Sequence, residues 1–458
     1  MDNHKKCKLV WCNYKTVGLL LCIIVGIFWI RFAAPLRPKN PEYNYSEIEA
    51  ISKINFRTMW IWTDYKSYHR YSPTGLLLFG LLDRHIIAPL HGINFSTIEE
   101  SCSSQRLLPL FYLSFVLIAF LTYWFTWKLF GNKWVSFTSG LYMGVNKAFF
   151  YFFYYTDMLA LSLLMIYGLC LLIFWKNYLD SRRNIYLIGY YFFFLLCVGA
   201  CEHWINLLSC IVLFTIFLSI KEKKWDRRIV INGLLIPLLI FSIYTTFKYS
   251  SAIKEIASVK EAQYVFSYPA KSMMIEDMVV NASLHISDTI DSLFFPWPML
   301  SQSIIHNYNM EIWNPFNKTY APSPSMHYKF MTEWYAGFLF CLFLMITVLF
   351  IIYIRKHHGE EENAAMIGML LIWTGFLVHW PVMYRTYFSM PGYLLGYKHI
   401  FSILGFSIFL GWAIKKSSHR FLAYPLMSKI LYILLNLWII YCNYGKIGLS
   451  LKRGSYPW

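Results

Sequence analysis

The feature that most constrains this chain is the recurrence of long uncharged apolar runs. Met158 to Trp175 is 18 residues without a charge, about 27 Å of helix at 1.5 Å per residue, close to the hydrocarbon thickness of a bilayer. Runs of this kind recur near 17–34, 107–128, 134–153, 157–175, 185–201, 204–220, 229–247, 335–354, 364–383, 400–414 and 424–442. Backbone groups inside a bilayer must be satisfied within the chain, so such runs are read as membrane helices. The expected fold is an all-α polytopic membrane protein with about 11 transmembrane helices. Composition agrees: 57% of the residues are hydrophobic and 14% charged, against about 25% charged in an ordinary soluble domain.

A net charge of +17 does not point to nucleic acid, because the cations fall in short loops between the runs. Lys5, Lys6 and Lys8 precede the first run, and Lys128 and Lys133 flank the turn after the second. Lys176, Arg182 and Arg183 follow the fourth, "KEKKWDRR" (221–228) the sixth, "RKHH" (355–358) the eighth and "KKSSHR" (415–420) the tenth. Every second loop is short and basic, which assigns the N-terminus and those loops to the cytoplasm. Two long segments, 35–106 and 248–334, then fall on the opposite side. They hold the glycosylation sequons at Asn44, Asn94, Asn281 and Asn317, which suits an ER lumen if the source is eukaryotic. The ten cysteines show no CxxC pair and read as packing residues. The N-terminal apolar run reads as a retained first helix rather than a cleaved signal. The chain divides at sequence level into 1–247, containing the first outer loop, then the second long loop 248–334, then C-terminal helices over 335–458.

By the same parity, Asp157 opens the fourth run on the extracytoplasmic face. The first outer loop carries "SEIEAISKI" (46–54), with Ser46 as N-cap and Ile48, Ile51 and Ile54 on one helical face. That pattern predicts a short helix lying along the membrane surface, with Glu47 and Glu49 in its first turn. "SPTGLLLFGLLDR" (72–84) is a second interfacial piece. Between them "WIWTDYKSYHRY" interleaves aromatics with Lys66, His69 and Arg70. Those residue types anchor loops at headgroup level, and they also suit sugar and lipid phosphate.

The series "WKLFGNKW" (127–134), "SFTSGLYMG" (136–144) and "YYTDMLALSLLMIYGLCLL" (154–172), then "FFLLCVGACEHWINLLSCIVLF" (193–214), resembles the N-terminal module of the GT-C superfamily of membrane glycosyltransferases. Protein O-mannosyltransferases and the bacterial lipid A aminoarabinose transferases are most similar in pattern. The resemblance covers roughly residues 17–220 and continues over the remainder by topology alone. No single motif is specific to that superfamily; the ordered series carries the likeness. The family usually has aspartate in the first outer loop, where this chain has "SEIE". The resemblance implies a GT-C-like fold with interfacial helices in the first outer loop, and transfer of a sugar from a polyprenyl-phosphate donor to a lipid, glycan or protein acceptor. The active site would face the periplasm of a bacterial inner membrane or the lumen of the ER.

On that resemblance Glu47 is the expected general base with Glu49 as its rival, and Asp157 the carboxylate that stabilises charge on the sugar or orients the acceptor. Lys66, His69, Arg70, Arg385, Lys398 and His399 are the expected groups for the lipid phosphate, the last three from the turn "YRTYFSMPGYLLGYKH" (384–399). The resemblance fixes no cofactor; for a divalent metal the candidates are Glu202 and His203. Plainer roles stand beside these. Asp157 suits a helix N-cap, and Glu47 and Glu49 suit a helix first turn. A transporter or lipid flippase, or a non-catalytic subunit of the same fold, are the competing classes; a transporter would carry charges or broken helices at mid-bilayer.

Overall fold

The computed structural model describes residues 3–33, 86, 88–90, 104–146, 149, 157–200, 203–222, 225–244, 246, 326–357, 359–389, 400–421 and 425–452. These are helical, with no strand among the described residues. Helices stand at the positions of the apolar runs: α1 (Asn3–Ile27, closing in a π-helical turn, Phe28–Ala33), α2 (Ser104–Phe130), α3 (Lys133–Gly144), α4 (Asp157–Ser181), α5 (Asn184–Ala200), α6 (Trp204–Lys221), α7 (Arg227–Tyr244), α8 (Met326–Lys356), α9 (Glu360–Ser389), α10 (Ile400–Phe421) and α11 (Pro425–Lys452). Among the described residues six segments are long and apolar enough to cross a bilayer: Tyr14–Arg31, Pro109–Phe130, Leu161–Ser181, Trp204–Lys221, Arg227–Tyr244 and Ile400–Ser417. The protein is membrane-embedded and multi-pass.

Three boundaries differ from the apolar pattern. Helix α3 is 12 residues long, about 18 Å, short of a bilayer on its own. Helix α8 begins at Met326, ahead of the apolar run. Helix α9 continues to Ser389, so the first six residues of the expected 384–399 turn are helical. The expected interfacial helices at 46–54 and 72–84 lie outside the described residues.

The chain divides into two compact units: Met1–Pro38, Phe115–Tyr151 and Met278–Trp458 form the first, and Lys39–Ser114 with Phe152–Asp277 the second. In the first unit, several polar side chains buried among apolar helices find partners on a neighbouring helix. Trp29, fully buried, donates from Nε1 to the Gly144 carbonyl at 2.6 Å. Tyr123 donates to the Tyr14 carbonyl at 3.0 Å, while the Tyr14 ring stacks on Tyr123 and Trp127 at 5.0 and 4.2 Å. Thr138 Oγ1 lies 2.6 Å from Tyr432 Oη and 3.1 Å from Asn436 Oδ1, and Tyr432 donates to the Trp134 carbonyl, tying α3 to α11. Each such bond spares a buried polar group the cost of standing alone in a low-dielectric interior.

Helices α9 and α10 meet backbone to backbone. A Cβ built on Gly368 would stand 2.8 Å from the Gly405 carbonyl oxygen, and one on Gly405 2.5 Å from that of Gly368. Ser402 adds a bond from Oγ to the Ile372 carbonyl at 2.9 Å. Small residues permit this approach, which is how helices associate where lipid offers no hydrophobic drive. Gly405→Ala should lower stability by about 1–3 kcal/mol through overpacking against fixed backbone, read as a lower melting temperature in detergent. Leu437→Ala, on an exposed position of α11, should change it little.

One end of this unit is an ionic knot. Gly131, at φ 65°, ends α2 with its amide donating to Trp127 O at 2.7 Å, and Asn132 caps α3 through bonds to Trp134 N and Val135 N at 3.0 and 3.3 Å. Left-handed φ favours glycine, and asparagine is a strong N-cap, so "GN" sets this turn. Lys415 reaches the free Phe130 carbonyl and pairs with Glu361 at 2.5 Å; Lys416 pairs with Glu361 at 3.1 Å and Glu362 at 2.8 Å. The basic ends of α2 and α10 and the acidic first turn of α9 therefore share one side. Partial burial acts to raise the Glu361 carboxyl, but its bonds to Lys415 and Lys416 outweigh that and hold it below the usual carboxylate value. A depressed folded-state value means the contribution is present above the unfolded value near 4.3 and is lost as pH falls through the folded one. Melting temperature measured from pH 6 down to pH 3.5 should therefore fall less steeply in Glu361→Gln than in the parent. The part-exposed pair is worth about 0.5–1 kcal/mol.

Candidate functional site

The second unit contains α4 to α7, and the carboxylate of greatest sequence interest, Asp157, is the first residue of α4. Helices α4 and α5 run antiparallel across a short turn: Ser181 ends one, Asn184 begins the next, and Trp175 packs against Tyr190 at 4.9 Å. Gly168 in α4 allows close approach of α6, since a Cβ there would stand 2.6 Å from Leu207 Cδ1. Counting helix rise from that contact, Asp157 lies 11 residues, about 16 Å, toward the N-terminal end of α4, and His203 four residues, about 6 Å, toward that of α6. Both thus lie toward the same end of the unit, with the start of α4 projecting farther.

At that end α5 stops at Ala200 and His203 immediately precedes α6, in helical backbone (φ −65°, ψ −8°) with no side-chain capping bond. Its carbonyl accepts from Asn206 N at 3.1 Å. Trp204 beside it is buried and meets Phe194, Phe241 and Tyr244 edge-on at 5.8, 6.0 and 5.5 Å, fastening α5 and α7 to the head of α6. Aromatic edge-to-face pairs of this kind add about 0.5–1.5 kcal/mol each beyond burial. The result fixes the direction of α6 where His203 stands.

Helix α7 holds a polar cluster the apolar pattern did not reveal. Its segment Ile231–Leu235 is a π-helix ending two residues before Pro237, which lacks the amide that would bond to the Gly233 carbonyl in an α-helix. Widening the ladder by one residue, as in the Ile236 amide bonding to Ile231 O, accommodates that missing donor. Asn232 fills the widened turn. Its amide nitrogen donates to Arg228 O at 2.7 Å and to Tyr178 Oη at 3.3 Å. Tyr191 donates to Asn232 Oδ1 at 2.5 Å and Tyr190 to Asn232 O at 3.3 Å. One amide so joins α4, α5 and α7. The only sequence signal was Asn-Gly inside an apolar run, four residues ahead of a proline. Asn232→Ala should cost about 1–3 kcal/mol because tyrosyl hydroxyls are left without partners, whereas Tyr191→Phe should cost about 1 kcal/mol; thermal unfolding in detergent compares the two.

Of the residues expected at the site, Asp157 and His203 belong to the second unit and to one end of it, and Arg385 lies in the last turns of α9 in the first unit. Glu47, Glu49, Lys66, His69, Arg70, Glu202, Lys398 and His399 lie outside the described residues. Among the described residues no group of three or more His, Cys, Asp or Glu side chains is placed to hold a metal. Within the six candidate spans, every Asp, Glu, Lys and Arg falls near an end of the span. No known family model matches the sequence, and neither does any curated protein.

Proposed function

We propose that the protein is a membrane glycosyltransferase that moves a sugar from a polyprenyl-phosphate carrier to an acceptor hydroxyl on the extracytoplasmic side. The ordered likeness to the GT-C pattern over 17–220 supports this reading, and Asp157 at the head of α4 carries it: an acidic residue opens a helix that is then uncharged for 18 residues. The distribution of charge supports it over a transporter, since the Asp, Glu, Lys and Arg residues of the six candidate spans sit near span ends and ion or substrate relays need charges at mid-depth.

In the proposed reaction a carboxylate of the first outer loop, Glu47 with Glu49 as its alternative, takes the proton of the acceptor hydroxyl as that oxygen bonds to the anomeric carbon. The bond from the anomeric carbon to the phosphate oxygen breaks, and its electron pair leaves on the lipid phosphate. Asp157 faces the positive charge that builds on the sugar in between. Lys66 and Arg70 of the same loop meet the departing phosphate, arginine by a two-pronged contact. Lys398, His399 and Arg385 are further cations of this kind in the sequence.

The test is consumption of radiolabelled polyprenyl-phosphate sugars by membranes containing the protein, with Glu47→Gln, Glu49→Gln and Asp157→Asn compared singly. Asp157→Asn and one of the two glutamate variants should lose about 10²–10⁴-fold in rate. Parent-like turnover in all three variants would overturn the assignment of these residues, and no turnover of any polyprenyl-phosphate sugar by the parent would overturn the activity.

A further inference from the structure

The basic end of the second unit is built differently from the ionic knot of the first. The loops 176–183 and 221–228 carry eight lysines and arginines against three carboxylates. Two of those carboxylates are engaged by cations already: Asp180 pairs with Lys176, and Asp226 Oδ2 lies 3.4 Å from Arg182 Nη2. Arg183, Arg227 and Arg228 are exposed and form no ion pair among the described residues. Trp225 stands among them with 58% of its surface exposed.

The two loops are held together, so these arginines are displayed on a fixed frame. Arg182 closes α4 with its amide bonded to Tyr178 O at 2.8 Å and its backbone at φ 58°. An L-residue adopts that conformation only at a cost, and glycine is the usual occupant. Here a non-glycine side chain in that conformation reaches across to Asp226. The same aspartate caps α7 through bonds from Oδ1 to Arg228 N at 2.9 Å and Ile229 N at 3.4 Å. Asn232 then holds the Arg228 carbonyl from below.

We propose that this surface binds the phosphate headgroups of anionic lipids in the leaflet it faces, through Arg183, Arg227 and Arg228, with Trp225 seated at headgroup level. Guanidinium groups bond phosphate oxygens in pairs, and indole prefers the interface between water and hydrocarbon. Excess fixed cations beside a membrane attract anionic lipid. In the first unit Lys415 and Lys416 face Glu361 and Glu362 instead, so that knot offers no comparable excess. The inference is independent of the proposed transferase activity.

The full chain, purified in detergent and stripped of lipid, is melted with added phosphatidylglycerol, phosphatidylcholine, inorganic phosphate or polyglutamate. Phosphatidylglycerol should raise the melting temperature by several degrees, an effect that weakens with added salt, and phosphatidylcholine should not. Arg183→Gln/Arg227→Gln/Arg228→Gln should lose at least half of that rise, while Arg355→Gln/Lys356→Gln, exposed cations of the first unit, should keep it. Single variants Arg227→Gln and Arg228→Gln, followed by mass spectrometry of retained phosphatidylglycerol, give the same answer if the triple variant does not fold. Equal rises with phosphatidylcholine, equal losses in the two sets of variants, or unchanged retention in the single variants would overturn the proposal. An equal rise with inorganic phosphate would mark a free-anion site instead, and a larger rise with polyglutamate an acidic protein partner; either result overturns it.

Discussion

A polar group left unpaired in hydrocarbon costs several kcal/mol, and that penalty governs the rest of this structure. It makes helix the only economical backbone for the apolar runs, since a helix satisfies its own amides and carbonyls. It then acts on side chains. Trp29 finds the Gly144 carbonyl, Ser402 the Ile372 carbonyl, and Asn232 takes four bonds across three helices. Each of these bonds needs neighbouring backbones to come close. Glycine at 368 and 405 supplies the approach for α9 and α10, so hydrogen bonding and small-residue packing are one device seen from two sides.

The same penalty expels net charge to helix ends, where it is handled in two ways. In the first unit, lysines from one helix meet glutamates from the first turn of another, and the acidic residues also suit the positive end of the α9 dipole. In the second unit one aspartate serves as helix cap and ion-pair partner together, which leaves the adjoining arginines in excess. Neutral knots fasten helices to each other; a surplus of cations fastens protein to something outside it.

Helix positions were readable from the chain because an uncharged run of bilayer length admits one solution. The turn at Gly131 and Asn132 was readable too, since both residues act on their own backbone. What escaped were pairings between residues far apart in sequence. Nothing in "LDSRR" announces that Arg182 reaches Asp226, and nothing in "RRIVINGLLIP" announces three tyrosines around Asn232. The ends of α3, α8 and α9 escaped for a different reason. Hydropathy marks where lipid is tolerated, whereas helix ends follow caps and tertiary contacts that extend beyond the apolar stretch or stop short of it. For the candidate site, Asp157 as a helix start was legible from "YTDM" after an aromatic run, while the first-loop glutamates lie outside the described residues.

The place of Asp157 also bears on which role a carboxylate there could fill. Its residue opens a helix of 25 residues, and a negative charge at a helix N-terminus is favoured by about 0.3–1 kcal/mol. A group held as an anion is a weak proton acceptor by comparison with one whose environment resists ionisation, and general bases work best when the two forms are nearly balanced. Under the proposed transfer, Asp157 is therefore better matched to positive charge developing on the sugar than to removal of the acceptor proton. Removal of the acceptor proton would then fall to another carboxylate, the role proposed for Glu47 or Glu49, which lie outside the described residues.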